Sequence, residues 1–238
     1  MALDLLIAVI ATASAAIVIA SLVLSTHASI RQKIEIATVL VTWFFVAVTL
    51  AATGIVSPSG VGTPAVGLAV VIPIVAVAFL AARDGVIRDA LYTIPVPIFI
   101  AVNIVRVFGI FFVIHYAGGR LPAPFAPSAG WGDVAVGVFA LPVALMAAHR
   151  TVGWKPVALF WNVLAIADLV VAVALGVTSA ADSPFRIFAE GPDTRLMAEL
   201  PMFLIPGFLV PLFVLTHLAL FVRLARTEKE ASAGLVKA

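Results

Sequence analysis

The segment IPVPIFIAVNIVRVFGIFFVIHYAGGRLPAPFAPSAGWGD, residues 94–133, places one arginine inside a long apolar run. Arg106 is the only Asp, Glu, Lys or Arg between Asp89 and Arg120. A charge inside a bilayer is expensive and rare, so such a residue pairs with an opposite charge or marks a functional site. We therefore expect a partner for Arg106 elsewhere in the chain.

The composition of the whole chain is typical of a membrane protein. Hydrophobic residues make up 63% and charged residues 11%, whereas soluble domains contain about 25% charged residues. The chain contains no cysteine, which excludes disulfides, thiolate metal sites and a thiol nucleophile. The small net charge of +2 comes from basic residues in short loops, a pattern of membrane orientation and not of nucleic-acid binding.

Seven apolar segments, each close to the ~20 residues that cross a bilayer, predict an all-α polytopic membrane helix bundle with about seven transmembrane helices. We expect residues 1–222 to form a single transmembrane domain and residues 223–238 a short charged cytoplasmic tail. The first segment lacks the basic start of a signal peptide, so we predict an uncleaved span. The segments cover residues 3–24, 35–55, 64–82, 91–116, 132–148, 156–178 and 200–222.

The basic residues are distributed unevenly between the loops. Ten of the 14 lysines and arginines lie in the first, third and fifth loops and the tail, and three lie in the other loops. The positive-inside rule then places the N-terminus outside and the C-terminus in the cytoplasm of a cell inner membrane. In this orientation the uncharged, Pro-rich loop 118–130 faces outward, and we expect it to fold over the outer mouth of the bundle or to re-enter slightly.

Polar residues inside the spans form two predicted levels. Arg106 and Asp168 lie at similar depths at about 1.5 Å per residue, so we predict an ion pair near the midplane. Asn103 precedes Arg106 by three residues and shares its helical face. Nearer the cytoplasm, Asn162 and His217 also match in depth, which predicts a hydrogen bond between them.

Helical phase and sequence position give further predictions for the polar residues around Arg106. Asn162 and Asp168 lie about 120° apart around their helix, so we do not expect them to share one ligand. His115 follows Arg106 by nine residues, on the opposite helical face, and we place it at the outer interface. Asp133 follows Gly130-Trp131-Gly132 and is interpreted either as the N-cap of the fifth helix or as an acid at the entrance to the Arg106 cavity.

The second half of the chain contains several short motifs: Arg106-Val107-Phe108-Gly109, Leu121-Pro122, Phe125-Ala126, Ala129-Gly130-Trp131-Gly132-Asp133, Trp161-Asn162, Asp168-Leu169 and Ile205-Pro206-Gly207-Phe208-Leu209-Val210-Pro211-Leu212, with His217. These motifs resemble a bacterial family of small, uncharacterised multi-pass integral membrane proteins. The resemblance spans roughly residues 94–222, and it implies a bacterial cytoplasmic membrane and no particular activity. The last span contains no lysine, which a retinal-type Schiff base would need.

The sequence favours a small-solute, ion or proton binding or transport module, with the bilayer and a small polar ligand or ion as its partners. A haem or redox protein is a second hypothesis, since His27, His149 and His217 lie toward the cytoplasm and haem needs axial ligands. The sequence is also compatible with an accessory subunit or sensor, and with a membrane enzyme that uses an aspartate and His217 as acid and base. No nucleophile or metal motif indicates an enzyme, and we predict no resident cofactor. The oligomeric state stays open.

Overall fold

The computed structural model describes residues 2–83 and 85–235, and within these ranges it contains helices and connections but no strand. Seven helical stretches are long and apolar enough to cross a membrane, which confirms the all-α prediction of about seven spans. The predicted tail ends in residues 236–238, which lie outside the described part. The helices are α1 (Ala2–Ser25), α2 (Ile30–Ala52), α3 (Thr63–Arg83), α4 (Gly85–Thr93), α5 (Val96–Ala101), α6 (Ile110–Ala117), α7 (Phe125–Ala148), α8 (Trp154–Thr178) and α9 (Val210–Leu235).

Two of the spans contain irregular helical turns. A 3-10 helix, Val102–Gly109, joins α5 to α6 within the fourth span, and a π-helix, Ile205–Leu209, precedes α9 in the last span. A 3-10 helix has about three residues per turn, so Asn103, Arg106 and Gly109 stack on one face. All three are buried.

The fourth span begins later than the sequence predicted. The predicted segment started at residue 91, but α4 ends at Thr93 and the span begins at Val96. Pro95 is the N-cap of α5, and Pro97 lies in its first turn. Proline is favoured at the first helical positions because it has no N–H that needs a partner there.

The start of the fifth span is the larger error in the sequence analysis. Helix α7 begins at Phe125, so the connection after α6 covers only residues 118–124. Asp133 therefore lies two turns inside a helix, and its interpretation as an N-cap is wrong. The run of Ala and Gly before Asp133 suggested a loop, but small residues in membrane helices allow close packing between helices. Ala126, Ala129 and Gly130 are buried in this way.

Helix α7 packs closely against the fourth span and against α8. A Cβ atom added to Gly109 would lie 2.3 Å from the Cβ atom of Asp133, and one on Gly137 would lie 2.6 Å from the backbone nitrogen of Val107. By contrast, α2 and α3 are peripheral: only 6% of the most apolar window of each is buried, against 28% to 50% for the last four spans. The tight centre of the molecule thus excludes α2 and α3.

Candidate functional site

Arg106 binds two aspartates that come from neighbouring helices. Its Nε atom lies 2.6 Å from Oδ1 of Asp133 on α7, and its Nη2 atom lies 2.5 Å from Oδ2 of Asp168 on α8. The arginine side chain is 1% exposed and each aspartate side chain is 16% exposed. One buried guanidinium is therefore shared by two carboxyl groups.

The third guanidinium nitrogen, Nη1, also has protein partners. It donates to the backbone carbonyl of Ala165 at 3.4 Å and lies 3.4 Å from Nε2 of His217. The ring of Phe213 lies 5.8 Å from the Arg106 Cζ atom, within the range of a cation–π contact. Every nitrogen of the guanidinium is therefore engaged, and none faces open space.

Asn162 fixes the tautomer of His217. The amide of Asn162 donates to the backbone carbonyl of His217 at 3.2 Å, which orients its carbonyl oxygen toward Nδ1 of the imidazole at 2.7 Å. An amide oxygen only accepts hydrogen bonds, so Nδ1 carries the proton and Nε2 can accept from Arg106. His217 is thus a neutral link between Arg106 and Asn162.

Trp161 supports this link from the same helix as Asn162. Its indole nitrogen donates to the backbone carbonyl of Val136 at 3.2 Å, and its ring centroid lies 5.4 Å from that of His217. The cluster, defined here as Arg106, Asp133, Asp168, His217 and Asn162, is therefore carried by the 3-10 helix, α7, α8 and α9. Each helix supplies at least one polar side chain.

A cavity of about 110 Å³ reaches the cluster at Asp133. From there it extends to Thr63 at the start of α3 and to Asp182, beyond the end of α8. Of the stretch 118–130 that was expected to fold over the mouth of the bundle, Phe125 and Ala129 on α7 line the cavity, whereas the connection 118–124 does not contribute to its described lining. The cavity wall is mainly apolar and includes Phe112, Phe125, Leu169, Val173, Pro206 and Val210.

Comparison with protein families identifies the family of this chain. A family model described as a domain of unknown function, DUF8737, matches residues 63–225. The chain belongs to this family. The matched region contains the whole cluster and begins at α3, one span earlier than the resemblance noted in the sequence. No curated protein and no solved structure gives a match.

In this DUF8737 chain, five of the six predicted site residues form the cluster, and the sixth, Asn103, lies outside it. Within the cluster, Asn162 and Asp168 do not share a contact but are connected through His217 and Arg106. Asn103 is fully buried and donates to the backbone carbonyl of Phe99 at 3.0 Å, while its side-chain oxygen has no hydrogen-bond partner in the described structure. It shares the face of Arg106 but has no hydrogen bond to either aspartate in the described structure.

The expected position of His115 at the interface is wrong. His115 is 1% exposed, and neither ring nitrogen has a hydrogen-bond partner among the described residues. In a 3-10 helix each residue turns the chain by about 120° around the helix axis, whereas in an α-helix it turns by about 100°. The three steps from Arg106 to Gly109 therefore add about 60° to the position of His115 and bring it toward the buried side. The three-residue spacing of Asn103, Arg106, Gly109, Phe112 and His115 is the sequence signal for this phase.

The contacts of His217 also bear on the haem hypothesis. An axial ligand must present a ring nitrogen to the iron, but both ring nitrogens of His217 face protein atoms, one on Asn162 and the other on Arg106. His217 is therefore not arranged as an axial ligand. Phe213 and the Ala165 carbonyl could not be identified from the sequence, because packing residues and backbone atoms carry no polar pattern, and Trp161 appeared there only within the Trp161-Asn162 motif.

Proposed function

We propose that this protein binds a proton at the cluster and transfers it across the membrane. The observation that supports this proposal is the sharing of one buried guanidinium by two carboxyl groups. With both aspartates ionised and His217 neutral, the cluster has one negative charge in excess, and an uncompensated charge is strongly unfavourable in a low-dielectric interior. A proton on either carboxyl makes the cluster neutral. Chains of acidic and histidine side chains are the usual proton relays of membrane proteins.

The geometry favours a proton over an anion or a larger solute. Anions need accessible donors, and the Arg106 side chain is only 1% exposed, with a protein partner on each of its guanidinium nitrogens. Small-molecule sites measure about 300–1,000 Å³, whereas the cavity at Asp133 measures about 110 Å³.

A metal cation is also disfavoured, because the second oxygen of Asp168 packs on the helix backbone of α7. A Cβ atom on Gly132 would lie only 1.7 Å from Oδ1 of Asp168. The glycine therefore covers one side of that oxygen, which reduces the room for the several oxygen ligands that a hard cation requires around it. A proton needs no such coordination shell.

We place the protein in a bacterial inner membrane with its N-terminus outside, following the distribution of basic residues. The cavity at Asp133 then opens on the outer side, at the connection between α2 and α3 and the connection after α8. In this arrangement protons enter from outside, reach Asp133 and Asp168, and leave toward the cytoplasmic side past His217.

Proton flux in proteoliposomes tests the proposal. An imposed pH gradient should drive dye-reported flux in the wild type that is lost in Asp133→Asn and in Asp168→Asn. The matched control is Asp89→Asn, because Asp89 is an exposed acid on α4 (side chain 75% exposed) and should leave the flux unchanged. Equal flux in the wild type and Asp168→Asn, or wild-type flux no greater than in empty liposomes, would contradict the proposal.

Infrared spectroscopy tests proton binding separately from transfer. Neutralising one carboxyl of the cluster gives a protonated C=O stretch that ionised aspartates lack. This band should be present in the wild type and in Asp89→Asn, and should be lost in the Asp133→Asn, Asp168→Asn double variant. A spectrum without a protonated carboxyl band at neutral pH would argue against proton binding at this site.

A further inference from the structure

His115 is a buried titratable residue that has no part in the polar cluster. It is 1% exposed, and neither nitrogen of its ring has a hydrogen-bond partner among the described residues. Buried polar groups nearly always have such a partner, and burial without one is unfavourable even for a neutral group. Protonation would add a full charge at a place where no described acceptor binds the ring. The buried position of His115 is therefore compatible with the neutral imidazole only.

The charges that act on His115 come from two elements. They are Arg120 in the connection 118–124 and Asp4 on α1, and they form an ion pair with each other at 2.9 Å. Other described segments share the apolar core at this end of the bundle, but they contribute apolar side chains to it and no charge that acts on the ring. These segments include α7, α8 and the 3-10 helix Arg195–Ala198.

Arg120 holds the connection 118–124 in place through two contacts. Its backbone nitrogen donates to the carbonyl of His115 at 2.8 Å, and its Nη1 atom donates to Oδ1 of Asp4 at 2.9 Å. Both charged side chains are partly exposed, 44% for Arg120 and 36% for Asp4, and exposed ion pairs are weak. A competing positive charge can therefore break the attachment of the connection to α1.

The connection leads directly into α7 at Phe125. The ring of Phe125 lies edge to face with that of Phe112, with centroids 5.6 Å apart, and both rings line the cavity that reaches Asp133. Phe112 precedes His115 by three residues in α6, so the two side chains are neighbours on one helical face. His115 and the connection thus lie beside the wall of this cavity.

We propose that His115 is an acid-sensitive switch that releases the connection 118–124 from α1. At neutral pH the ring is neutral and buried, and the ion pair between Arg120 and Asp4 is intact. Protonation makes the buried position unfavourable, so the imidazolium moves out toward water and the Asp4 carboxylate, where it competes with Arg120. Because the released arrangement binds the proton more tightly than the closed one, acid shifts the population toward release. The switch does not require proton transfer at the polar cluster, so its test is independent of the proposed function.

The distance between two spin labels tests the switch in the full chain. The chain contains no cysteine, so Val9→Cys on α1 and Ala123→Cys in the connection, both at exposed positions, give one labelled pair. We expect a single narrow distance distribution at about pH 7.5 and a second, longer population at about pH 5.5, because histidine changes charge in this range. His115→Phe should abolish the second population, since phenylalanine keeps a ring of similar size and cannot be protonated.

Two further variants control this experiment. His149→Gln is the matched control, because His149 is an exposed histidine beyond the opposite end of α7 and should leave the acid response unchanged. Arg120→Gln removes the ion pair and should show the longer population already at neutral pH. His115→Gln replaces His115→Phe if that variant does not elute as a monodisperse, folded protein.

Four outcomes would overturn the proposal. They are a wild-type distance that does not change with pH, an acid response that persists in a folded His115 variant, an equal loss of the response in His149→Gln, and an unchanged distance in Arg120→Gln. Persistence of the response without His115 would assign it to another group, such as the Asp4 carboxyl.

Discussion

The centre of the molecule, where α7 packs against the fourth span and α8, is packed more closely than α2 and α3 at the periphery. In the centre, glycines let helices approach so closely that Gly132 lies against a carboxyl oxygen of Asp168, and a charged cluster joins four helical segments. In α3, by contrast, a Cβ atom on Gly67 would meet nothing within 4 Å. Close packing therefore coincides with the buried charges, which need a fixed geometry to be stable.

Helices α2 and α3 are attached at the periphery, where α2 packs mainly along α1 and α3 packs along the π-helix and α9, and a few polar contacts add to this packing. Trp43 on α2 donates from its indole nitrogen to the backbone carbonyl of Gly207 at 3.1 Å. At the start of α3, the backbone nitrogen of Thr63 donates to Asp182 at 2.6 Å, and its hydroxyl bonds the same carboxyl at 2.7 Å. The comparison implies that substitutions in the centre destabilise the whole bundle, whereas substitutions at these contacts loosen only the pair.

Removal of the central cation should have the largest effect. Arg106→Leu leaves two buried carboxyl groups without their partner, and breaking a buried ion pair in this way costs about 3–5 kcal/mol. The free energy of unfolding in mixed micelles measures this loss. The triple variant with Asp133→Leu and Asp168→Leu removes all three charges and should regain most of the stability. A triple variant as unstable as Arg106→Leu would show that packing, and not charge, determines the loss.

Much of the fold follows from the sequence, because apolar length alone identifies the seven spans. The contact between Arg106 and Asp168 and that between Asn162 and His217 follow from counting residues along helices, since residues at equal depth in neighbouring spans can meet. The start of α7 does not follow in the same way. Ala and Gly before Asp133 favour a loop in water, but in a bilayer they favour close helix contact.

The remaining errors arise where the helix departs from regular geometry. An ideal α-helix places His115 opposite Arg106, but the 3-10 turns rotate it into the interior, where it is 1% exposed. The sequence supports two interpretations of Asp133, because the depth of this residue depends on where α7 starts. The cavity at Asp133 also depends on packing between distant segments, which a single sequence does not reveal.

A methyl group on Gly132 tests the close packing in the centre. Gly132→Ala places a Cβ atom 1.7 Å from Oδ1 of Asp168, so either the Asp168 carboxyl must shift away from its bond to Arg106 or the helices must separate, and overpacking of this kind costs about 1–3 kcal/mol. Gly67→Ala is the matched control in α3, where open space allows the better helix former to add about 0.5–1 kcal/mol. Thermal unfolding in detergent compares the two. A neutral Gly132→Ala would contradict the close contact.

Substitution of Trp43 tests one attachment of α2. Trp43→Phe removes the hydrogen bond to the Gly207 carbonyl, and leaving a buried acceptor without a partner costs about 1–3 kcal/mol. In the wild type the rings of Trp43 and Phe208 are in edge-to-face contact, with centroids 4.9 Å apart. A phenylalanine at position 43 can keep this contact, so the lower end of this range is expected. Hydrogen exchange should increase in α2 and remain unchanged in α7 and α8. Equal increases in α2 and α7 would show that the two regions are not separable.

The smallest effect is expected at Asp182, which accepts two hydrogen bonds from Thr63 at the start of α3 and lines the far end of the cavity at Asp133. Asp182→Ala should cost about 1 kcal/mol, as loss of a helix N-terminal acceptor usually does.

Burial raises the pKa of the Asp182 carboxyl, but the two hydrogen bonds from Thr63 lower it, and the net direction is downward from 3.8. A lowered pKa in the folded state means that the contribution is fully present well above pH 3.8 and is lost as the pH falls through the lower, folded-state value. The difference in unfolding free energy between wild type and Asp182→Ala should therefore be constant near neutral pH and shrink in strong acid. A difference that is the same in strong acid would show that the carboxylate charge does not stabilise the start of α3.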